Sequence, residues 1–173
     1  MSAEFSCGTS IISSIVIYFA RAFPPPTRVD FEQTARKTQV RYDYPRACGF
    51  LDGKHIAILK PAHAGSAYFN YKQFHSIVLL AISDCDYNII AFDIGAPGRI
   101  GDAGVFRRST IKQYFSDNDD VFPPTRELGS VGAVQYHFLV DGGFGQDFRY
   151  VRPYRQQENY SESKARFNKK HSG

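Results

Sequence analysis

The chain has 173 residues, of which 43% are hydrophobic, 15% aromatic and 22% charged, the size and composition of one ordinary domain with a sizeable core. That aromatic content excludes intrinsic disorder, because the apolar area offsets the entropy of ordering. The net charge of +4 is uneven: residues 149–173 hold seven Lys or Arg against two acidic residues, and the remainder is near neutral. A basic tail on a neutral body suits a polyanion partner or a solvated face, not a protein that coats nucleic acid along its length.

The longest apolar stretch, Ile11 to Ala20, has 10 residues, half of what a membrane helix needs. Ala20-Arg21-Ala22 follows it like a signal-peptidase site, but the preceding segment carries Glu4 and no Lys or Arg, the wrong charge for a signal peptide. Ser10 to Phe23 reads as a helix stopped by Pro24-Pro25-Pro26. Asp30 to Thr38 reads as a second helix with Asp30 as N-cap. Cys48 to Leu59 reads as a strand, bent at Gly53. Ser76 to Ser83, a nearly continuous apolar run, predicts a strand buried on both faces. A short polar connection, Asp84-Cys85-Asp86, makes an antiparallel hairpin with the next strand, Asn88 to Ile94, before the breakers Gly95 to Arg99. One helix is expected from Asp102 through Tyr114, a loop from Ser116 to Gly132, and a short buried strand from Tyr136 to Val140 that ends in Asp141-Gly142-Gly143. From Ser161 the chain is polar and basic. Three antiparallel strands, a helix that crosses over and a further strand make an α/β sheet of mixed direction.

Chemistry can sit where three aspartates border this pattern. Asp52 lies in an apolar strand beside Phe50, Leu51 and Ile56, where a carboxylate is costly unless it is paired or holds a metal. Asp102 stands at a helix start and Asp141 at a strand end, where ligands of open α/β sheets collect. Carboxylates without His or Cys partners favour Mg²⁺ or Mn²⁺ over zinc, and two such ions suit phosphodiester hydrolysis. The competing reading is a helix cap at Asp102 and a turn residue at Asp141. Cys7, Cys48 and Cys85 have no metal-ligand spacing and no neighbouring His, so they are read as reduced, small and apolar, not as nucleophiles. Gly142, Gly143 and Gly145 lack the Lys-Ser or Lys-Thr of a phosphate loop.

Five blocks carry a resemblance: Cys48-Gly49-Phe50-Leu51-Asp52-Gly53-Lys54-His55-Ile56, Tyr68-Phe69-Asn70-Tyr71-Lys72 followed by Ser76 to Leu80, Gly95 to Arg99 with Gly101-Asp102, Asp141 to Phe144, and Arg152-Pro153-Tyr154. In this order and spacing they resemble the catalytic domain of PIF/Harbinger-type DDE transposases and the nuclease derived from them, over residues 45–173. The resemblance implies an RNase H-like fold, a divalent cation (Mg²⁺ or Mn²⁺) on Asp52, Asp102 and Asp141, DNA cleavage in the nucleus, with the cytoplasm as a second location, and a Myb-like DNA-binding partner protein. Lys54, His55 and Lys72 fall in matching motifs and are assigned to phosphate contact. Lys164, Arg166, Lys169 and Lys170, with His171, are read as further phosphate contacts, a nuclear-import patch or a solvated face. Tyr68 to Phe74 suits stacking on unpaired bases or packing in a loop.

Residues 1–44 are read as the remnant of a helix-turn-helix region and 45–173 as the nuclease domain without its last helix. By the family's spacing, a glutamate on that helix would follow about half a dozen residues beyond Gly173, so an inactive protein is the expected alternative: a non-catalytic module that binds DNA or a protein. A metal-dependent phosphatase acting on small esters is the third reading.

Overall fold

The computed structural model describes residues 23–155 and 160–172. The first expected helix, up to Phe23, lies outside the described residues except at its end.

Helix α1 runs Arg28–Tyr42, longer at both ends than the sequence pattern suggests. Asp30 is not its N-cap. Thr27 caps the helix and Asp30, at the third helical position, accepts from the Thr27 backbone N–H at 2.8 Å, so the two residues satisfy each other's end groups. Phe31, Thr34, Ala35 and Thr38 form the buried stripe of α1 at helical spacing.

The main sheet contains β1 (Ala47–Ala57), β2 (Ser76–Ser83), β3 (Ile89–Pro97), β6 (His137–Val140) and β7 (Tyr150–Val151). Its order is β3-β2-β1-β6-β7, with β1, β2 and β3 antiparallel and β6 and β7 parallel to β1, an RNase H-like mixed sheet. Strands β4 (Arg126–Glu127), inside the segment expected to be a loop, and β5 (Ala133–Val134), just after it, form a separate ribbon.

Four local outcomes differ from the pattern reading. β2 is fully buried only at alternate residues, Ser76, Val78, Leu80 and Ile82, because its other face lines an open groove. β3 continues through Gly95 to Pro97 past a bulge; proline is tolerated there because β3 is an edge strand. The helix expected over Asp102–Tyr114 is two, α2 (Asp102–Arg108) and α3 (Thr110–Asp117). Ser109 between them is extended, and its hydroxyl caps α3 by accepting from the Lys112 N–H at 3.1 Å. The basic tail forms α4 (Glu162–His171), capped by Ser161.

One face of the sheet holds the core. Phe31, Phe115, Phe122 and Phe138 meet there, with Phe31 and Phe122 stacked at 5.0 Å, and Phe106 meets Tyr150 edge-on at 4.7 Å. The opposite face carries a smaller cluster, Tyr44, Ala47 and Leu139 with Phe50, Val151 and Phe167 of α4. Beside that cluster a groove of about 460 Å³ remains, lined among others by Tyr42, Phe50, Asp52, Lys54 and Leu79.

Candidate active site

Strands β1 and β6 pair in parallel as far as Leu51 and Val140. One step further along this register, Asp52 and Asp141 stand side by side where the two strands part, the kind of crevice in which an open α/β sheet offers polar groups to a ligand. Both aspartates are exposed. Each is held locally: Asp52 accepts from the Gly53 N–H at 2.7 Å and Asp141 from the Gly143 N–H at 2.8 Å. The solvation argument made for Asp52 from its apolar neighbours therefore does not apply, because alternation turns its side chain away from Leu51 and into the open groove.

Asp102 is the desolvated member. As the first residue of α2, it lies against Gly53 so closely that a Cβ there would stand 2.5 Å from its Oδ1. This close approach is what requires glycine at position 53. Oδ1 of Asp102 is buried and has no hydrogen-bond partner. Burial first, and then the Asp141 carboxylate, push the Asp102 carboxyl above its ordinary value; His55 and Lys72 oppose this, and Asp52 adds to it. Asp102 thus approaches β1 at the side of Gly53 while Asp52 alternates to the other side. Among the described residues no three His, Cys, Asp or Glu side chains are gathered closely enough to hold a metal ion as they stand.

The groups around these carboxylates are positioned by a second network. His55 on β1 shares a 2.9 Å hydrogen bond between Nδ1 and the Ser76 hydroxyl, which also accepts from the Asn70 side-chain amide at 2.8 Å. Ser76 and Asn70 are buried, and a Cβ on Gly98 would stand 2.0 Å from the Ser76 hydroxyl oxygen, so the backbone there is packed tightly over the network. The sequence places Asn70 and Ser76 within one block of the resemblance, but their joint role as the fixed base of this loop is not readable from it.

The remaining sequence-predicted residues divide. Lys54 is exposed and lines the groove beside Asp52, and Lys72 lies with its ammonium 5.5 Å from the Tyr71 ring. On α4, Arg166 and Lys169 are exposed, Lys164 lies over the Tyr154 ring, and Lys170 is paired with Asp43. His171 turns inward. Its Nε2–H donates to the Val140 carbonyl at 2.7 Å, which leaves Nδ1 to accept from the Tyr44 hydroxyl at 3.4 Å, and burial lowers its proton affinity. It anchors α4 directly before Asp141 and is not available to a phosphate. Cys48 and Cys85 are buried free thiols, and burial pushes Cys48 up to about 12, as suits an unreactive apolar group.

No helix among the described residues is long and apolar enough to cross a membrane. Residues 51–173 match the sequence model of a family described as DDE superfamily endonuclease. No curated protein and no solved structure matches the chain.

Proposed function

Since the chain belongs to the DDE superfamily endonucleases, a group of transposase-derived nucleases that act on DNA with divalent metals, we propose that it hydrolyses DNA phosphodiester bonds with Mg²⁺ or Mn²⁺ held by Asp52, Asp102 and Asp141, and that it is of the PIF/Harbinger type. The observation that carries this reading is the buried Asp102 oxygen, left without a donor and within electrostatic reach of the Asp141 and Asp52 carboxylates. In a protein interior such an atom calls for an explanation, and a hard cation is the partner that a set of carboxylate oxygens fits. When bound, the ion activates a water and stabilises the leaving oxygen.

The chain's own residues would do the rest. Asp102 supplies a poorly solvated carboxylate, costly to keep charged and therefore responsive to a cation. Asp52, mid-strand in β1 beside the end of β6, and Asp141, directly after β6, supply exposed carboxylates able to exchange water for metal. Lys72, electrostatically coupled to Asp102 as His55 is, would place positive charge at a backbone phosphate, His55 would contact the same phosphate, and Lys54 adds charge across the strand. Arg166 and Lys169 extend the positive surface along α4. Nuclear residence and a Myb-like DNA-binding partner, both drawn from the Harbinger resemblance, belong to this proposal.

A second reading is favoured by one observation: the three aspartates are not gathered into a closed metal cage. The protein would then be a non-catalytic module that binds DNA or a partner protein. Plasmid nicking separates the two. The wild-type protein is expected to nick supercoiled plasmid with Mg²⁺ or Mn²⁺ and not with EDTA, and Asp52→Asn to lower the rate at least about 100-fold with an unchanged circular-dichroism spectrum. Absence of nicking by the folded wild-type protein, with DNA binding retained, would establish the second reading.

A further inference from the structure

Of the exposed large apolar side chains, Tyr71 is set apart by how it is held. It sits at the tip of the loop between β1 and β2, and its side chain is 78% exposed. An exposed aromatic on a mobile tip would be unremarked, but this tip is tied down on every side. The Asn70 carboxamide oxygen accepts from the Lys72 N–H at 2.9 Å and the Phe74 N–H at 3.3 Å, so a buried side chain braces the turn from inside. The backbone closes around it, with Asn70 N–H to the Phe74 carbonyl at 3.0 Å and Ser76 N–H to the Tyr68 carbonyl at 2.8 Å. The Ile58 N–H, donating to the His75 carbonyl at 2.9 Å, joins the far side of the loop to β1.

The ring itself is oriented. His55 meets it edge-on at 5.6 Å, and the Lys72 ammonium lies 5.5 Å from its centroid. His55 stands two residues along β1 from Gly53, against which Asp102 lies, so the ring it meets belongs to the surroundings of the carboxylate site and not to a remote surface. Phe69, 42% exposed, lies on the same loop with its ring against His75. An oriented, exposed aromatic ring with a cation over one face, next to groups suited to a phosphate, matches the chemistry of a nucleotide: base against the ring, phosphate on the ammonium. Because the ring is already ordered, stacking on it costs little further entropy.

We infer that Tyr71 is a stacking platform for an unpaired nucleobase of the DNA strand engaged at the carboxylate site. The inference rests on the nuclease reading for its choice of ligand, but not on cleavage taking place. A duplex accepts such a contact only where a base is unpaired, at an end, a flap or a flipped position. The site is therefore selective for DNA with a single-stranded portion beside the target bond.

The test uses the full chain in EDTA, so that binding is read without cleavage. The probes are a fluorescein-labelled duplex with a three-nucleotide overhang, the matching blunt duplex, and the overhang duplex with 2-aminopurine at its first unpaired position. The wild-type protein is expected to prefer the overhang and to quench the 2-aminopurine. Tyr71→Ala is expected to lose about ten-fold in affinity for the overhang and to lose the quenching, with binding to the blunt duplex unchanged; Tyr71→Phe should retain both. Equal affinity of wild type for the two duplexes overturns the inference. So does unchanged overhang binding by Tyr71→Ala, an equal loss on both probes, or a Tyr71→Phe variant as weak as Tyr71→Ala. Plasmid nicking is scored separately: nicking with no effect of Tyr71→Ala on the overhang sinks only the platform, whereas Tyr71-dependent binding without nicking sinks only the proposed hydrolysis.

Discussion

At Asp102 an oxygen is buried without a donor while Asp141 and Asp52 stand close enough to raise the proton affinity of the group. The unfolded chain titrates this carboxyl near 3.9. In the folded chain the value is higher, so the folded state holds the proton more tightly. The stabilising contribution is therefore complete below the unfolded value and is lost as the pH rises through the folded one; at neutral pH the ionised Asp102 works against folding. In metal-free solution at pH 7, Asp102→Asn should raise the melting temperature by roughly a few degrees, a gain that shrinks as the pH falls toward about 4. Differential scanning fluorimetry across that range checks it, and added Mn²⁺ should stabilise the wild type but not the variant. The sequence singled out Asp52 as the carboxylate under strain because its neighbours along the chain are apolar. Strand alternation and the end of β6 reverse that assignment. Burial of a side chain depends on what lies across the sheet, which a linear neighbourhood does not contain.

The helix α1 carries Phe31, fully buried, into the aromatic cluster formed by α3, β6 and the turn bearing Phe122. Cutting that ring back to Phe31→Ala should cost about 3–5 kcal/mol, read from urea denaturation, because three aromatic rings lose a shared packing partner and a cavity is left. Elements with strong periodicity or long apolar runs, α1, β1 and β2, were legible in the sequence to within a few residues at each end. The ones that were not are short or held by tertiary contacts. β7 has two residues, too few for any period, and exists because Phe138 and Leu139 offer it an edge. The break at Ser109 is invisible to the apolar stripe, yet Thr110 is drawn off the helix axis by donating its N–H to Asp93 on β3 at 2.7 Å. The loop that presents Tyr71 is likewise fixed by side chains far apart in sequence, His55 and Ser76.

For the whole molecule, charge is the property that composition reveals best. The excess of basic residues lies at the C-terminal end, and α4 displays much of it. Not all of these charges are free: Lys170 is neutralised by Asp43 and His171 faces inward. Replacing Lys164, Arg166 and Lys169 together by Ala should reduce the slope of log affinity against log salt for duplex DNA by about 2–3, whereas Lys170→Ala alone should change it little. Fluorescence anisotropy from low to high salt measures both.

The pairing of β1 with β6 has a consequence in time. Leu51 must find Val140 before the centre of the sheet is closed. On a ribosome that adds 5–20 residues each second, roughly 5 to 20 seconds separate the synthesis of these two partners. Throughout that interval the β3-β2-β1 meander presents one edge of β1 with backbone groups unpaired, the state in which nascent sheets pair with the wrong neighbour. Asp52 and Lys54 put two charges on that waiting strand. Charges on such an edge disfavour its joining another strand before its own partner has been made.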